Sequence, residues 1–205
     1  MLDNKGFDLW ADHYDESVRE SDEDNRYPFA GYREILNRIY QNVLEKDGAT
    51  VLDIGFGTAF LTSRLYEKGC SIWGQDFSEK MLQLAQEQMP EAHLYQGDFS
   101  KGLAEPLLQH TYDFIIATYS LHHLSQEEKV ELIQSLRGLL SEQGEILIGD
   151  VAFPTYEELE NCRVESGDEW DPDEIYFVYE EMKKEFPEIR FEKFSYCAGI
   201  LTLTR

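Results

Sequence analysis

Short apolar runs alternate with segments of helical periodicity through the middle of the chain. The runs ATVLDI, SIWGQD, HLYQG, YDFIIATY and EILIGDV have the length and composition of buried strands. Between them, apolar residues recur at steps of three and four, which predicts amphipathic helices. Strands that alternate with helices are joined by right-handed crossovers, so the pattern predicts a parallel sheet covered by helices on both faces.

Local signals mark several of these helices. Apolar positions at steps of three and four over residues 32–43 predict a helix before the first strand. Ser125, followed by Glu128 three residues later, forms a capping box for the helix after the fourth strand. Ser78 is a suitable N-cap for the helix after the second strand.

The pattern changes after Asp150. Residues 153–187 have the character of one or two acidic helices, and FEKFSY and GILTLTR then form two runs separated by Cys197 and Ala198. Two strands so close in sequence must be antiparallel neighbours. The expected fold is therefore α/β, with a doubly wound seven-stranded sheet of five parallel strands plus a C-terminal antiparallel hairpin.

One domain accommodates all of these elements, because neither a repeat nor a low-complexity linker interrupts the chain. Residues 1–48 are expected to form an N-terminal helical cap and residues 49–151 the ligand-binding core. Residues 152–187 are expected to form an acidic helical lid, and residues 188–205 the hairpin.

Composition places the protein among folded globular chains. It has 205 residues, of which 42% are hydrophobic and 13% aromatic. Without an uninterrupted apolar run of spanning length or a signal-peptide pattern, a cytoplasmic location is expected. Cys70, Cys162 and Cys197 lack the spacing of a metal site, so they are expected to be reduced thiols.

The formal net charge of −23 bears on the partners. It would repel a phosphate backbone or an anionic membrane, so neither nucleic acid nor membrane is expected as a partner. Residues 12–24 hold seven acids and one arginine, and residues 157–174 hold nine acids and one arginine. These stretches are either solvated acidic surface or regions whose negative electrostatic field attracts cations.

The stretch VLDIGFGTAF, residues 51–60, predicts a strand that enters a glycine turn and then a helix. Gly55 and Gly57 let the main chain approach a ligand closely. Asp76, 21 residues after Gly55 at the end of the second strand, can accept hydrogen bonds from ribose hydroxyls. Asp98, after the third strand, can accept one from the amino group of adenine.

The same loop indicates which adenosine compound would fit. Phe77 and Phe99 offer apolar surface to an adenine ring. Phe60 occupies the place of the third glycine in a dinucleotide fingerprint, and Asp53 would repel a diphosphate. The loop therefore favours an adenosine ligand whose other end is positively charged.

Together, VLDIGFGTAFLTSRL, GQDFSEKML, QGDF and YDFIIATYSLHHL resemble the class I S-adenosylmethionine-dependent methyltransferases. The resemblance covers residues 49–151 and implies a Rossmann-like fold with S-adenosyl-L-methionine as cofactor. Ala59 departs from the third glycine that many members have. The motifs are specific for the cofactor and nearly silent about the methyl acceptor, which is expected to be a small molecule, cationic or amine-bearing.

The resemblance also implies roles for individual residues. It places Asp53, Gly55 and Gly57 at the methionine end of the cofactor. It places Asp76 at the ribose, and Asp98 with Phe99 at the adenine. It places Ala117 and Thr118 beneath the sulfonium, and an N-terminal tyrosine over the cofactor. The N-terminal tyrosine is Tyr14, for which core packing is the alternative role.

His122 and His123 are the candidate general bases, and His123 is preferred on family grounds. Their alternative role is that of hydrogen-bonded loop residues. Because adjacent side chains diverge and a third ligand is not apparent, a metal is not expected. Tyr119 and Tyr176 are further candidates for lining the active site. A cofactor-sensing protein without transfer and a nicotinamide-dependent oxidoreductase are the alternative functions, the latter disfavoured by Phe60 and Asp53.

Overall fold

A computed structural model describes residues 25–205. Tyr14 and the acidic stretch at residues 12–24 lie outside the described residues. Within them, six α-helices and eight strands alternate. The helices are α1 Tyr32–Val43, α2 Phe60–Glu67, α3 Glu79–Gln88, α4 Gln126–Arg137, α5 Tyr156–Ser166 and α6 Tyr179–Glu185. The strands are β1 Thr50–Ile54, β2 Ser71–Asp76, β3 His93–Gln96, β4 Tyr112–Thr118, β5 Leu140–Phe153, β6 Phe177–Val178, β7 Arg190–Lys193 and β8 Ala198–Thr204.

The strands form one mixed sheet with the order β3-β2-β1-β4-β5-β8-β7. The first five strands are parallel, and β8 runs antiparallel to both β5 and β7. The short β6 pairs with the end of β5 outside this order. Strand order reverses between β1 and β4, which places the switch point at the centre of the sheet. The predicted doubly wound fold with five parallel strands and a terminal hairpin is confirmed.

Helices cover both faces of the sheet, as the alternating pattern predicts. Helices α1, α2 and α3 contribute buried side chains to one hydrophobic cluster, and α4 and α6 contribute to the cluster on the opposite face. The apolar positions of α1 that the periodicity selects are the ones that are buried. They are Ile35, Leu36, Ile39 and Val43.

Both predicted N-caps are present. The Ser125 hydroxyl accepts a hydrogen bond from the Glu128 N–H at 3.2 Å, and the Glu128 carboxylate accepts one from the Ser125 N–H at 2.8 Å. The Ser78 hydroxyl accepts a bond from the Met81 N–H at 3.2 Å. These bonds satisfy N–H groups at the first turn that have no partner within the helix.

One local prediction differs from the structure. The hairpin strands β7 and β8 are joined by residues 194–197, a longer connection than the predicted two residues. The Ser195 hydroxyl stabilises this turn, because it accepts bonds from the N–H groups of Cys197 and Ala198. Residues 153–187 contain two helices, α5 and α6, in agreement with the predicted one or two, and a loop with β6 separates them.

None of the helices within residues 25–205 combines the length and apolar character needed to cross a membrane.

Helix α1 lies directly against β5 at Gly149. A Cβ atom at this glycine would come within 2.4 Å of Ile35 Cγ2 and 3.1 Å of Ile39 Cδ1. Protein interiors are packed too densely to absorb such an overlap without movement. The missing side chain at Gly149 therefore sets how closely α1 approaches the sheet beside the switch point.

We expect Gly149→Ala to lower the free energy of unfolding by about 1–3 kcal/mol through overpacking. Ile35→Ala removes the overlapping methyl group and should cost about 2–5 kcal/mol alone because it leaves a cavity. In the double variant the added methyl group occupies that cavity. The double variant should therefore lose less free energy of unfolding than the two single variants lose in sum. Urea unfolding of all four proteins measures this coupling, and strict additivity would contradict the contact.

Candidate functional site

A cavity of about 780 Å³ lies at the carboxyl ends of β1, β2, β4 and β5. Its volume is in the range of small-molecule sites in proteins. Its position is the one where parallel α/β sheets bind ligands, beyond the strand ends at the switch in strand order. The cavity brings together most of the candidate residues. Those on its wall are Asp53, Gly55, Gly57, Asp76, Phe77, Asp98, Phe99, Tyr119, His122 and His123.

The two glycines after β1 serve different purposes. Gly55 has φ of +73°, and a Cβ atom there would stand 2.5 Å from Ser120 Cβ. The Ser120 hydroxyl also donates a hydrogen bond to the Ile54 carbonyl at 2.7 Å, so the loops after β1 and β4 are in contact. Gly57 has φ of +53°, and a Cβ atom there would meet no described atom within 4 Å. Gly55 therefore serves packing, and Gly57 keeps the cavity wall free of a side chain.

Asp76 joins the loop after β1 to the loop after β2. Its Oδ2 accepts a hydrogen bond from the Gly57 N–H at 2.8 Å, and its Oδ1 accepts one from the Ser78 N–H at 2.9 Å. The carboxylate lies on the cavity wall, and the residue is nearly buried at 8% exposure. Each carboxylate oxygen can accept more than one hydrogen bond, so these two bonds do not by themselves exclude a ligand.

Asp53 is a buried carboxyl at the cavity wall, with 1% exposure. Its Oδ2 accepts a hydrogen bond from the Thr62 hydroxyl, and its Oδ1 has no partner among the described residues. Burial raises the pKa of Asp53 to about 7, and the neighbouring Asp76 adds to the effect. A cation placed beside Oδ1 would favour the ionised form of this carboxyl.

Asp98 lines the cavity and also caps the 3-10 turn at Phe99–Lys101. Its Oδ1 accepts a bond from the Ser100 N–H at 3.0 Å, and its Oδ2 lies 2.8 Å from Lys101 Nζ. Partial burial would raise the pKa of Asp98, but the bonds from Lys101 and Ser100 lower it overall. Each Asp98 oxygen therefore already has a partner. An adenine amino group would have to share one of these oxygens with Ser100 or Lys101.

His122 is buried between two carboxylates. Its Nδ1 is 2.6 Å from Asp150 Oδ1, and its Nε2 is 3.5 Å from Glu174 Oε1. Burial alone would lower the pKa of His122, yet the adjacent Asp150 charge raises it overall, with a smaller contribution from Glu174. Both ring nitrogens thus face carboxylates that belong to the protein.

His123 differs from its neighbour in its electrostatics. Burial, together with the adjacent His122, lowers the pKa of His123 to about 4, so its ring is neutral at physiological pH. The prediction that the two side chains diverge is wrong, because the ring centroids are 4.3 Å apart. Glu174 brings a third potential ligand within reach, which sequence spacing did not reveal.

Aromatic side chains also line the cavity, among them Tyr27, Phe29, Tyr32 and Tyr119. Tyr119 has φ of +50°, and its ring centroid lies 5.3 Å from Phe29 and 5.1 Å from Tyr32. Tyr27 stacks on Trp170 with a centroid distance of 5.3 Å. Sequence reasoning assigned neither Tyr27 nor Phe29 to the site, although the aromatic density of YPFAGY was a visible signal.

Two of the described candidates, Ala117 and Tyr176, do not lie on the cavity wall. Ala117 is buried within β4, and it is the following Thr118 that lines the cavity. Tyr176 lies behind the wall, where its hydroxyl donates to Glu174 Oε2 at 2.6 Å. Tyr14 lies outside the described residues.

The sheet order and the cavity beyond its strand ends place the protein in the Rossmann-like class of α/β proteins. A protein-family model described as "Methyltransferase domain" matches residues 51–144. The chain is 31% identical over 185 residues to an uncharacterized methyltransferase of Alkaliphilus oremlandii, covering 90% of this chain and 82% of that protein. It is 40% identical over 147 residues to one of Anoxybacillus flavithermus, covering 72% of this chain and 66% of the relative, just under two thirds.

Solved structures share the fold at low sequence identity. The magnesium protoporphyrin IX methyltransferase of Synechocystis PCC 6803 with bound SAH has a TM-score of 0.67 and 21% identity, covering 85% of this chain and 83% of that chain. The DhpI–SAH complex has a TM-score of 0.71 and 14% identity, covering 97% and 93%. The chain belongs to the class I S-adenosylmethionine-dependent methyltransferases, and both the predicted family and its cofactor, S-adenosylmethionine, are confirmed.

The raised pKa of Asp53 predicts how stability changes with pH. The unfolded carboxyl ionises near its ordinary value of 3.8 and the folded one near 7. Ionisation therefore favours the unfolded chain between these values, and the contribution of Asp53 to stability falls as pH rises from about 4 to 7. Asp53→Asn should raise the free energy of unfolding at pH 8 by up to about 4 kcal/mol, since one pKa unit corresponds to about 1.4 kcal/mol. Urea unfolding at pH 5 and pH 8 measures it.

Asp113 provides a control, because its pKa is shifted in the opposite direction to that of Asp53. Its carboxylate accepts bonds from Lys46 Nζ at 2.6 Å and from the Thr50 N–H at 3.0 Å. Partial burial opposes these bonds, but together with Ser141 they lower the pKa of Asp113. Asp113→Asn should therefore lose stability at pH 8. A loss for Asp53→Asn at pH 8 would contradict the role of burial at that site.

Proposed function

We propose that the chain transfers the methyl group of S-adenosylmethionine to a small-molecule acceptor. The observation that carries the proposal is the arrangement around Gly57. Gly57 borders the cavity with open space where a side chain would stand, Asp76 accepts a bond from its N–H, and a buried Asp53 oxygen lacks a partner among the described residues. These groups fit a nucleoside that carries a positive charge at its other end.

The donor set supports an assignment of each group to one part of the cofactor. Asp76 would accept bonds from the ribose hydroxyls, since it lies on the cavity wall and a carboxylate oxygen can accept more than one bond. Asp53 with Gly55 and Gly57 would hold the methionine end, and Phe77 with Phe99 and Asp98 the adenine. Tyr14 remains a predicted contact from the N-terminal segment. Bound S-adenosylmethionine would supply a methyl group that is already activated on a sulfonium.

The residues of the chain would then act mainly by placement. Holding a nucleophile in line with the methyl group can account for roughly 7–11 kcal/mol of barrier lowering. The aromatic wall at Phe29, Tyr32 and Tyr119 would exclude water and orient the acceptor. His123 and Tyr119 remain the candidate catalytic residues, since both lie on the cavity wall. His122 suits a positioning role, because both of its nitrogens face carboxylates.

The charge of the cavity wall supports a cationic acceptor. Beyond the cofactor-binding carboxylates, the wall carries Glu128, Glu169, Asp171 and Glu174. Among the described wall residues, Arg26 is the only lysine or arginine. The field from these acids favours an amine-bearing molecule over an anion. In this proposal, residues 152–187 serve as the acidic lid, since three of the four acids lie in that segment.

Gly57→Ala tests the cofactor site directly. The new methyl group would enter the open space that the cofactor is proposed to occupy. We expect S-adenosylmethionine to bind at least about tenfold more weakly, a loss of ~1.4 kcal/mol. Isothermal titration calorimetry of the purified chain measures this affinity, with NADH as the comparison ligand.

Gly48→Ala is the matched control. Gly48 has a similar φ of +63° and similarly open surroundings, but it lies outside the cavity wall, before β1. Both variants carry the same backbone strain of about 1–2 kcal/mol, so unfolding should be affected alike. Equal cofactor affinity in the two variants, or tight NADH binding by the native chain, would refute the proposed site.

The acceptor class is tested by turnover. We expect S-adenosylhomocysteine to form with members of a panel of small primary and secondary amines, and to form more slowly as salt increases, because salt screens the acidic wall. A panel of matched carboxylic acids serves as the control. Turnover with the acids alone would exclude a cationic acceptor. Cofactor binding without turnover on either panel would favour a sensing protein.

A further inference from the structure

Two histidines and a glutamate converge on one point of the cavity wall. Each of His122, His123 and Glu174 offers a ligand atom, and the three atoms lie within 4.8 Å of one another. In a tetrahedral site with bonds of 2.0–2.2 Å, ligand atoms stand roughly 3.3–3.5 Å apart. The distance of 3.5 Å between His122 Nε2 and Glu174 Oε1 already matches that spacing. The His123 ligand atom lies within 4.8 Å of both of these atoms.

The His122 ring is oriented by a buried partner behind it. Its Nδ1 is 2.6 Å from Asp150 Oδ1, and Asp150 has no exposed surface. Asp150 is itself held by the N–H groups of Leu121 at 3.2 Å and Val151 at 2.8 Å. A histidine bonded to a carboxylate through one nitrogen presents the other to a ligand, an arrangement typical of histidines that bind metals.

Glu174 is oriented in a comparable way. Its Oε2 accepts a hydrogen bond from the Tyr176 hydroxyl at 2.6 Å, which leaves Oε1 directed toward His122. The backbone holds the two segments together, since the Ile175 N–H donates to the His122 carbonyl at 2.8 Å. The ammonium of the buried Lys129 donates to the Ile175 carbonyl. The three donors therefore belong to one supported unit.

We propose that His122, His123 and Glu174 bind one divalent transition-metal ion, with an open coordination position toward the cavity. All three residues line the cavity, as an exchangeable position requires. Two imidazoles and one carboxylate suit zinc, cobalt or nickel, whereas magnesium prefers oxygen ligands alone. The acidic wall raises the local concentration of any cation.

The metal site has a consequence for catalysis that rests on the proposed methyl transfer. A metal at this position would bind the nucleophilic atom of the acceptor and favour its deprotonated form. His123 would then be a ligand, and proton acceptance by its ring would not be required. Metal binding itself does not depend on the identity of the cofactor or the acceptor.

Zinc titration of the full chain, after removal of metal with a chelator, tests the proposal. We expect one equivalent of zinc to bind with micromolar or tighter affinity and magnesium not to compete. Cobalt, as a spectroscopic substitute, should give visible absorption bands typical of nitrogen and oxygen coordination. His123→Ala and Glu174→Gln should each weaken zinc binding at least tenfold.

Matched variants separate this site from others. His110→Ala removes a described histidine that is not on the cavity wall, and Cys162→Ser removes a thiol that is not on it either. Both variants should leave zinc affinity unchanged. Circular dichroism and the unfolding transition show whether each variant is folded. The affinity for S-adenosylmethionine, measured in parallel, distinguishes failure of the metal site from failure of the proposed function. The absence of saturable zinc binding, or native affinity in both His123→Ala and Glu174→Gln, would overturn the proposal.

Discussion

The site depends on the hydrogen bond between the Gly57 N–H and the Asp76 carboxylate. This bond connects the loop after β1 to the loop after β2, and the Ser78 N–H completes the set on the other oxygen. It requires β1 and β2 to be parallel neighbours in the observed register, because only then do both loops leave the sheet at the same edge. It also uses the backbone of a residue whose missing side chain leaves room for a ligand. This one contact therefore links the pairing of β1 with β2 to the shape of the cavity wall.

A second network, of hydrogen bonds and buried charges, surrounds His122 on the cavity wall. Asp150, near the carboxyl end of β5, is fully buried and accepts bonds from His122 and from two backbone N–H groups. Burial lowers the pKa of the nearby Lys129 to about 8, while the Asp150 charge opposes this effect. Lys129 is held by the Ile175 carbonyl and lies 4.5 Å from the centre of the Phe177 ring. Because buried charges are costly without partners, this network constrains the segment that carries Glu174.

Burial distinguishes two carboxylates that look alike in the sequence. Asp53 and Asp76 both lie at or near strand ends and both line the cavity. Asp76 accepts two backbone hydrogen bonds, whereas one Asp53 oxygen has no partner among residues 25–205. The raised pKa of Asp53 follows from that difference. A positively charged ligand beside Asp53 would supply the interaction that the described residues do not provide.

The amino-acid sequence alone determined the alternation of strands and helices, the caps at Ser78 and Ser125, and the family. These features depend on residues close together in the chain, so local periodicity and spacing reveal them. The convergence of Glu174 on the two histidines was decided only by tertiary structure, as was the aromatic wall at Tyr27 and Phe29. These contacts join residues more than 45 positions apart, through a loop and a short β6 that periodicity did not predict. The contact of the His122 and His123 rings likewise depends on Asp150, whose position behind them is set by the pairing of β4 with β5.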